Sequence, residues 1–170
     1  YYIPHIVDLT DEELEVYDHL TAEIGQHWPH TDDDGGGVDL DAHPKLKHLL
    51  FKRARLIGTA ENKLDVLTDL LDRQSDPQHT LVYCSDGSTD PEPGVGQRHV
   101  DATTERLRTD CGFQVSRFTA RESQAEREEI LSDFERGATE ILTSIRCLDE
   151  GIDMPATRTA YILASTTNPR

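Results

Sequence analysis

Residues 141–155 read Ile-Leu-Thr-Ser-Ile-Arg-Cys-Leu-Asp-Glu-Gly-Ile-Asp-Met-Pro. The stretch opens apolar, passes through two hydroxyls, and runs into a glycine and then an aspartate set just ahead of Pro155. Its first half has the make-up of a buried strand, short and apolar with turn-forming residues after it. In its second half Gly151 permits close approach of a ligand to the backbone, and Asp153 can accept two hydroxyl hydrogen bonds, as a ribose clamp does. Such residues at the carboxyl end of a strand suit an open α/β sheet, in which ligands collect outside those ends.

The same texture recurs on both sides. Residues 80–84, 114–118, 140–144 and 159–164 are short apolar runs expected to be strands. Between them residues 97–111 are expected to be helical. A second helix is capped by Ser123 with Glu126, runs through Ile130, Leu131 and Phe134, and ends at Gly137. Strands alternating with helices imply a parallel sheet with right-handed crossovers, a doubly wound α/β domain over residues 76–170. Residues 1–75 form a helical connecting segment. Thr10 and Glu13 make a capping box ahead of Leu14, Tyr17, Leu20, Ile24 and Trp28, which predicts a helix over 11–28. Pro44 opens another to about residue 56, and Ala60, Leu64, Leu67 and Leu71 mark a third over 59–74. The Asp- and Gly-rich stretch 30–41 has almost nothing apolar to bury and is expected to be a mobile connection.

A chain of 170 residues, 35% hydrophobic and 29% charged, has room for one such domain and a helical appendage. Its 33 Asp and Glu against 17 Lys and Arg give a formal net charge of -16. That charge repels nucleic acid and anionic membranes, so a nucleic-acid site here must be local. Abundant Asp, with Arg well ahead of Lys, suggests a cytoplasm loaded with salt; the alternative is an ordinary acidic protein. Cys84, Cys111 and Cys147 are far apart and form no CxxC pair, which points to neither a disulfide framework nor zinc and to a reducing cytoplasm. No apolar run is long enough to span a membrane, and the first residues carry no basic region followed by an apolar core, so neither a span nor a signal peptide is expected in this stretch. The chain starts without Met and stops in mid-pattern, so it reads as a piece of a longer protein.

The four strand exits carry the polar residues. They lead into Ser85 and Asp86, then Thr119, Arg121, Gln124 and Arg127, then Arg146, Asp149, Glu150, Gly151 and Asp153, and finally Ser165 to Asn168 with Arg170. His27, His30, Asp32, Asp33 and Asp34 could be written as metal ligands, but they flank a solvated acidic loop and no metal is expected. Tyr1, Tyr2 and Trp28 read as packing residues, since no basic residues interleave them.

Residues 141–155 resemble motif V of the superfamily 2 helicases and translocases, in the EGxDxP form of their DNA repair and restriction branches. Residues 80–84 resemble motif IV, and Phe118-Thr-Ala-Arg-Glu-Ser-Gln-Ala-Glu-Arg127 resembles the QxxR segment that lies between them. Arg55 and Ala60-Glu-Asn-Lys-Leu64 resemble the segment preceding motif IV, so the resemblance covers residues 52–170. It implies a RecA-like doubly wound parallel sheet with helices on both faces, cut before motif VI. The implied role is the second motor domain of an ATP-dependent DNA helicase or translocase, the helicase subunit of a restriction-modification or DNA repair system. By the same resemblance Ser85, Thr119, Gln124, Arg127, Thr143 and Ser144 contact the nucleic-acid backbone, and Glu150, Gly151 and Asp153 face the nucleotide. ATP and Mg2+ are the implied cofactors. Neither a GxxxxGK[ST] loop nor an acidic box occurs in the chain, so the Mg2+ site lies elsewhere and no catalytic residue is assigned. The chain is expected to hydrolyse no ATP by itself. The implied partners are DNA, bound without sequence preference, the first RecA-like domain, and restriction or repair subunits, with no membrane. Two alternatives stand beside this: an RNA helicase motor domain, and a non-enzymatic acidic module that binds proteins or mimics DNA.

Overall fold

The computed structural model describes residues 2–29, 38–85, 87, 98–145 and 154–164. Four strands, β1 (Thr80–Tyr83), β2 (Val115–Phe118), β3 (Ile141–Ser144) and β4 (Thr159–Ile162), form one sheet in the order β2-β3-β1-β4. Every pairing is parallel. Thr80 stands beside both Ile141 and Thr159, and Val115 beside Ile141, so the four strands start level and end level. Their carboxyl ends therefore share one edge, roughly 14 Å across at ~4.8 Å per strand.

Each central strand is buried on both faces, which is why its sequence does not alternate apolar with polar and why even its hydroxyl residues Thr80, Thr143 and Ser144 are fully buried. Alternate residues still part to opposite sides. Val82, Val115 and Ile141 face α3 (Asn62–Arg73) and α4 (His99–Thr109) in one cluster with Leu67, Leu71, Val100 and Leu107. Leu81, Tyr83, Phe118 and Leu142 face α5 (Gln124–Glu135) through Phe134, with Ile130, Leu131, Met154 and Ala156 at the margin. Helices on both faces of a parallel sheet make this a doubly wound α/β fold, as the strand pattern implied, and it has the RecA-like architecture that the resemblance implied.

Two helices precede it. α1 (Asp11–His27) has the expected reciprocal cap, in which Glu13 N–H donates to Thr10 Oγ1 at 3.2 Å and Thr10 N–H to Glu13 Oε2 at 3.0 Å. α2 (Pro44–Gly58) starts on its proline and packs against α1 through Leu20, Ile24, Leu46 and Leu49. Trp28 is 48% exposed and Tyr2 83% exposed, so neither packs as expected. Trp28 caps the end of α1, beyond the turn whose Ile24 reaches α2.

α3 belongs with the sheet, although its sequence reads as part of the helical connection. Leu67 and Leu71 need apolar cover, and the open sheet face supplies it. Of the acidic connection, residues 30–37 lie outside the described residues. Val38 and Leu40 at its far end pack on the α1–α2 cluster.

Candidate functional site

The carboxyl edge of the sheet gathers two polar groups, one at the exit of β2 and one at the exits of β1 and β4. At the first, Thr119 is buried and its amide and hydroxyl both donate to Glu122 Oε2 at 2.7 Å. The other oxygen of Glu122 accepts from Arg117 Nε at 3.0 Å, and Arg117 Nη1 reaches Asp101 Oδ1 on α4 at 2.6 Å. Burial pushes the Glu122 carboxyl up, but the hydrogen bonds from Thr119 and Arg117 outweigh it and hold the group below its usual range. Arg127, one turn into α5, donates through Nε and Nη2 to the Thr119 carbonyl at 3.0 and 2.8 Å. Its guanidinium lies 5.5 Å above the centre of the Phe118 ring. Thr119 and Arg127, read separately as backbone-contacting residues, thus form one clamp on the loop that leaves β2.

Gln124 is exposed in the first turn of α5 and donates to Glu128 at 3.1 Å. The helix start beside it already carries a carboxylate. Ser123 N–H donates to Glu126 Oε2 at 2.7 Å, and Glu126 N–H returns to Ser123 Oγ at 3.4 Å. This capping box uses part of the anion-attracting capacity of the helix terminus.

At the second group, Ser85 follows β1, and its amide donates to His99 Nδ1 at 3.3 Å. Ser85 Oγ accepts from Gly87 N–H at 3.2 Å. With Nδ1 accepting, the neutral ring carries its proton on Nε2, which is buried without a hydrogen-bond partner among the described residues. Burial, and then the charge of Lys63, hold the His99 pKa down to about 4. Lys63 Nζ in turn donates to the Leu163 carbonyl after β4 at 2.7 Å. Burial lowers its pKa, against the pull of Glu13.

β3 lies between the two groups. Thr143 and Ser144 are both fully buried. Thr143 Oγ1 sits 2.6 Å from Thr104 Oγ1 under α4 and 3.5 Å from the Ser116 carbonyl. Its hydroxyl is thereby directed into the α4 face of the sheet. The Ser144 carbonyl accepts from Cys84 N–H at 2.8 Å. Glu150, Gly151 and Asp153 lie outside the described residues. They are flanked by Ile145, buried below the carboxyl edge, and by Met154, packed against the α5 cluster.

Sequence reasoning missed Glu122, Arg117, Asp101 and His99. Glu122 stands three residues after Thr119 in a loop, a spacing that suits a side-chain cap on the Thr119 amide. For His99, one histidine among eight, the sequence carries no comparable signal. Among the described residues no cluster of three metal-ligating side chains occurs, and no helix is long and apolar enough to cross a membrane.

A family model described as the helicase conserved C-terminal domain matches residues 62–170, starting where α3 starts. Two curated relatives are each named ATP-dependent RNA helicase eIF4A. The one from Eremothecium gossypii is 34% identical over 98 residues, covering 58% of this chain and 22% of its own length. The one from Kluyveromyces lactis is 36% identical over 92 residues, covering 54% and 20%. The chain thus matches about a fifth of the length of these relatives. Among solved structures, the C-terminal domain of a Sulfolobus solfataricus SWI2/SNF2 ATPase superposes with a TM-score of 0.61 at 12% identity, over 92% of this chain and 68% of that one. The C-terminal domain of the DEAD-box protein Dbp5 gives 0.52 at 20% identity, over 65% and 55%. At these identities the likeness is one of fold.

Proposed function

The chain belongs to the helicase conserved C-terminal domain family, and from that premise we propose that it is the second motor domain of an ATP-dependent DNA helicase or translocase serving restriction-modification or DNA repair. The observation that carries the reading is the level carboxyl edge, where the clamp of Thr119, Glu122 and Arg127 and the turn at Ser85 flank the end of β3. Ser85, Gln124 and Arg127 would meet the nucleic-acid backbone there, a contact that positions a strand without reading its sequence. Thr119, read from the sequence as a further contact, is buried on Glu122 and would hold the loop that presents them. Thr143 would act from below, holding β3 to α4, with Ser144 closing the strand's end.

ATP would be held between this domain and a first RecA-like domain, with Glu150, Gly151 and Asp153 on this side of the cleft. The nucleotide and its Mg2+ supply the phosphoryl-transfer chemistry. This chain's own residues would orient the nucleotide and shift their hold on one strand as the two domains close and open.

DNA is favoured over RNA by the Glu150-Gly151-Ile152-Asp153-Met154-Pro155 form and by the Ala60-Glu-Asn-Lys63 segment. The second reading, an RNA-directed motor, draws on the two relatives named as RNA helicases. The deciding experiment compares ATP turnover by the protein carrying both motor domains in the presence of DNA and of RNA of the same sequence. Stimulation at least tenfold greater with DNA is expected. Preference for RNA would move the assignment to the second reading, and stimulation by neither would remove both.

A further inference from the structure

The acidic balance of the chain is not evenly spread. Pro44–Gly58 holds five of its 17 Lys and Arg residues, Lys45, Lys47, Lys52, Arg53 and Arg55, and none of its 33 Asp and Glu. Three of the four lysines in the chain stand on this one helix. Two of the five cations are engaged by neighbouring side chains. Lys47 Nζ donates to Asp41 at 2.5 Å, and Arg53 lies 5.7 Å over the Tyr17 ring on α1. Lys45, Lys52 and Arg55 are exposed and pair with no acid among the described residues. With His48 they fall at spacings of three and four, which places them in one exposed row along α2, bordering the buried side that carries Leu46 and Leu49. Phe51, 60% exposed, stands beside the row.

The row also leads to the carboxyl edge. A Cβ on Gly58 would stand 2.8 Å from Ser85 Oγ, and one on Gly87 would stand 3.1 Å from Arg55 Cγ and 2.8 Å from Thr59 Cγ2. The end of α2 is therefore packed directly on the loop that leaves β1, and the stem of Arg55 lies against that loop. From Lys45 to Arg55 the helix rises roughly 15 Å, long enough to follow several phosphates of one strand.

We propose that the outer face of α2 is a phosphate-binding surface that holds the DNA backbone as it passes the carboxyl edge, through Lys45, Lys52 and Arg55. The proposal rests on the reading of the chain as a nucleic-acid motor domain. Charge complementarity names the occupant. A chain of net charge -16 repels a polyanion almost everywhere, and this row is where it presents exposed cations on a helix without acids. Phe51 offers an adjacent flat surface against a base or sugar.

The test is fluorescence anisotropy of a fluorescein-labelled oligothymidine strand and a labelled DNA duplex, titrated with the chain at several salt concentrations between roughly 0.05 and 0.2 M. The triple variant Lys45→Ala, Lys52→Ala, Arg55→Ala is compared with a control, Arg73→Ala, Arg136→Ala, Arg158→Ala, which removes equal charge at exposed positions elsewhere. The α2 variant is expected to bind at least tenfold more weakly than the control. Its plot of log affinity against log salt should flatten by about two units, since each lost single-strand phosphate contact removes about 0.7. Equal weakening in both variants would reduce the effect to net charge and overturn the proposal. If the α2 variant binds like the unmodified chain while Gln124→Ala with Arg127→Ala does not, the motor reading stands and the α2 surface falls. No binding by the unmodified chain would overturn both. Circular dichroism of each variant checks that the fold is intact.

Discussion

His99 shows how one side chain can tie the site to the stability of the fold. Its ring is fully buried at the first residue of α4, accepts from the Ser85 amide, and has its pKa held near 4 against an ordinary 6.5. Above pH 6.5 the ring is neutral in the folded and the unfolded chain, and it contributes no pH dependence. Between 6.5 and about 4 the unfolded chain takes up a proton that the fold resists, so stability falls as pH drops through that window. The shift is equivalent to a loss on the order of 3 kcal/mol. Urea unfolding at pH 7 and pH 4.5 is therefore expected to show a larger acid loss for the natural chain than for His99→Gln, whose amide oxygen can replace the Nδ1 acceptor. Identical pH dependence in the two would show that the ring titrates normally. Glu122 works in the opposite sense of charge. Its carboxylate is stabilised by Thr119 and Arg117, and that stabilisation is present above the ordinary glutamate range and lost as pH falls through its lowered value.

At the scale of the element, α5 illustrates how local sequence sets both ends of a helix. Ser123 and Glu126 cap its start, and Gly137 ends it at φ 75. The last turn closes with Ala138 N–H on the Asp133 carbonyl at 2.9 Å and Gly137 N–H on the Phe134 carbonyl at 3.1 Å, the bonding of a Schellman turn. This turn leads the chain from α5 into β3, and so helps set where Thr143 and Ser144 stand. Gly112, after α4, has the same φ of 75 but nothing within 4 Å of an added Cβ, whereas a Cβ on Gly137 would stand 2.9 Å from Gln78 Oε1. Gly112→Ala should therefore cost only the left-handed strain, about 1 kcal/mol. Gly137→Ala should cost somewhat more, because the Gln78 amide, whose Oε1 is buried, must also move aside. Equal losses in thermal unfolding would show that Gln78 gives way freely.

For the whole molecule, the proposed function would be divided between what the edge positions and what a first RecA-like domain would supply. Nothing in the 170 residues matches a phosphate-cradling loop with its lysine, or an acidic box for Mg2+. The chain by itself is accordingly expected to turn over no ATP above background, with or without DNA, in a coupled phosphate-release assay. Addition of a first RecA-like domain should restore nucleic-acid-dependent turnover. Turnover by the chain alone would mean that it carries a nucleotide site of its own, and would overturn this division of labour.

The strands, the helices and the doubly wound α/β class were legible because each rests on a local rule. The short apolar runs at 80–84 and 140–144, the Thr10–Glu13 and Ser123–Glu126 boxes and Gly137 need only their sequence neighbours to be read. The order β2-β3-β1-β4, the packing of α3 on the sheet and the burial of Thr143 against Thr104 depend on residues far apart in sequence. Periodicity shows that a side chain has a buried face and leaves open what buries it. So too for charge: the sequence by itself determined that any nucleic-acid site had to be local. The tertiary structure decided which cations are engaged and which are exposed, since ion pairing and burial are settled only when α1, α2 and the sheet edge come together.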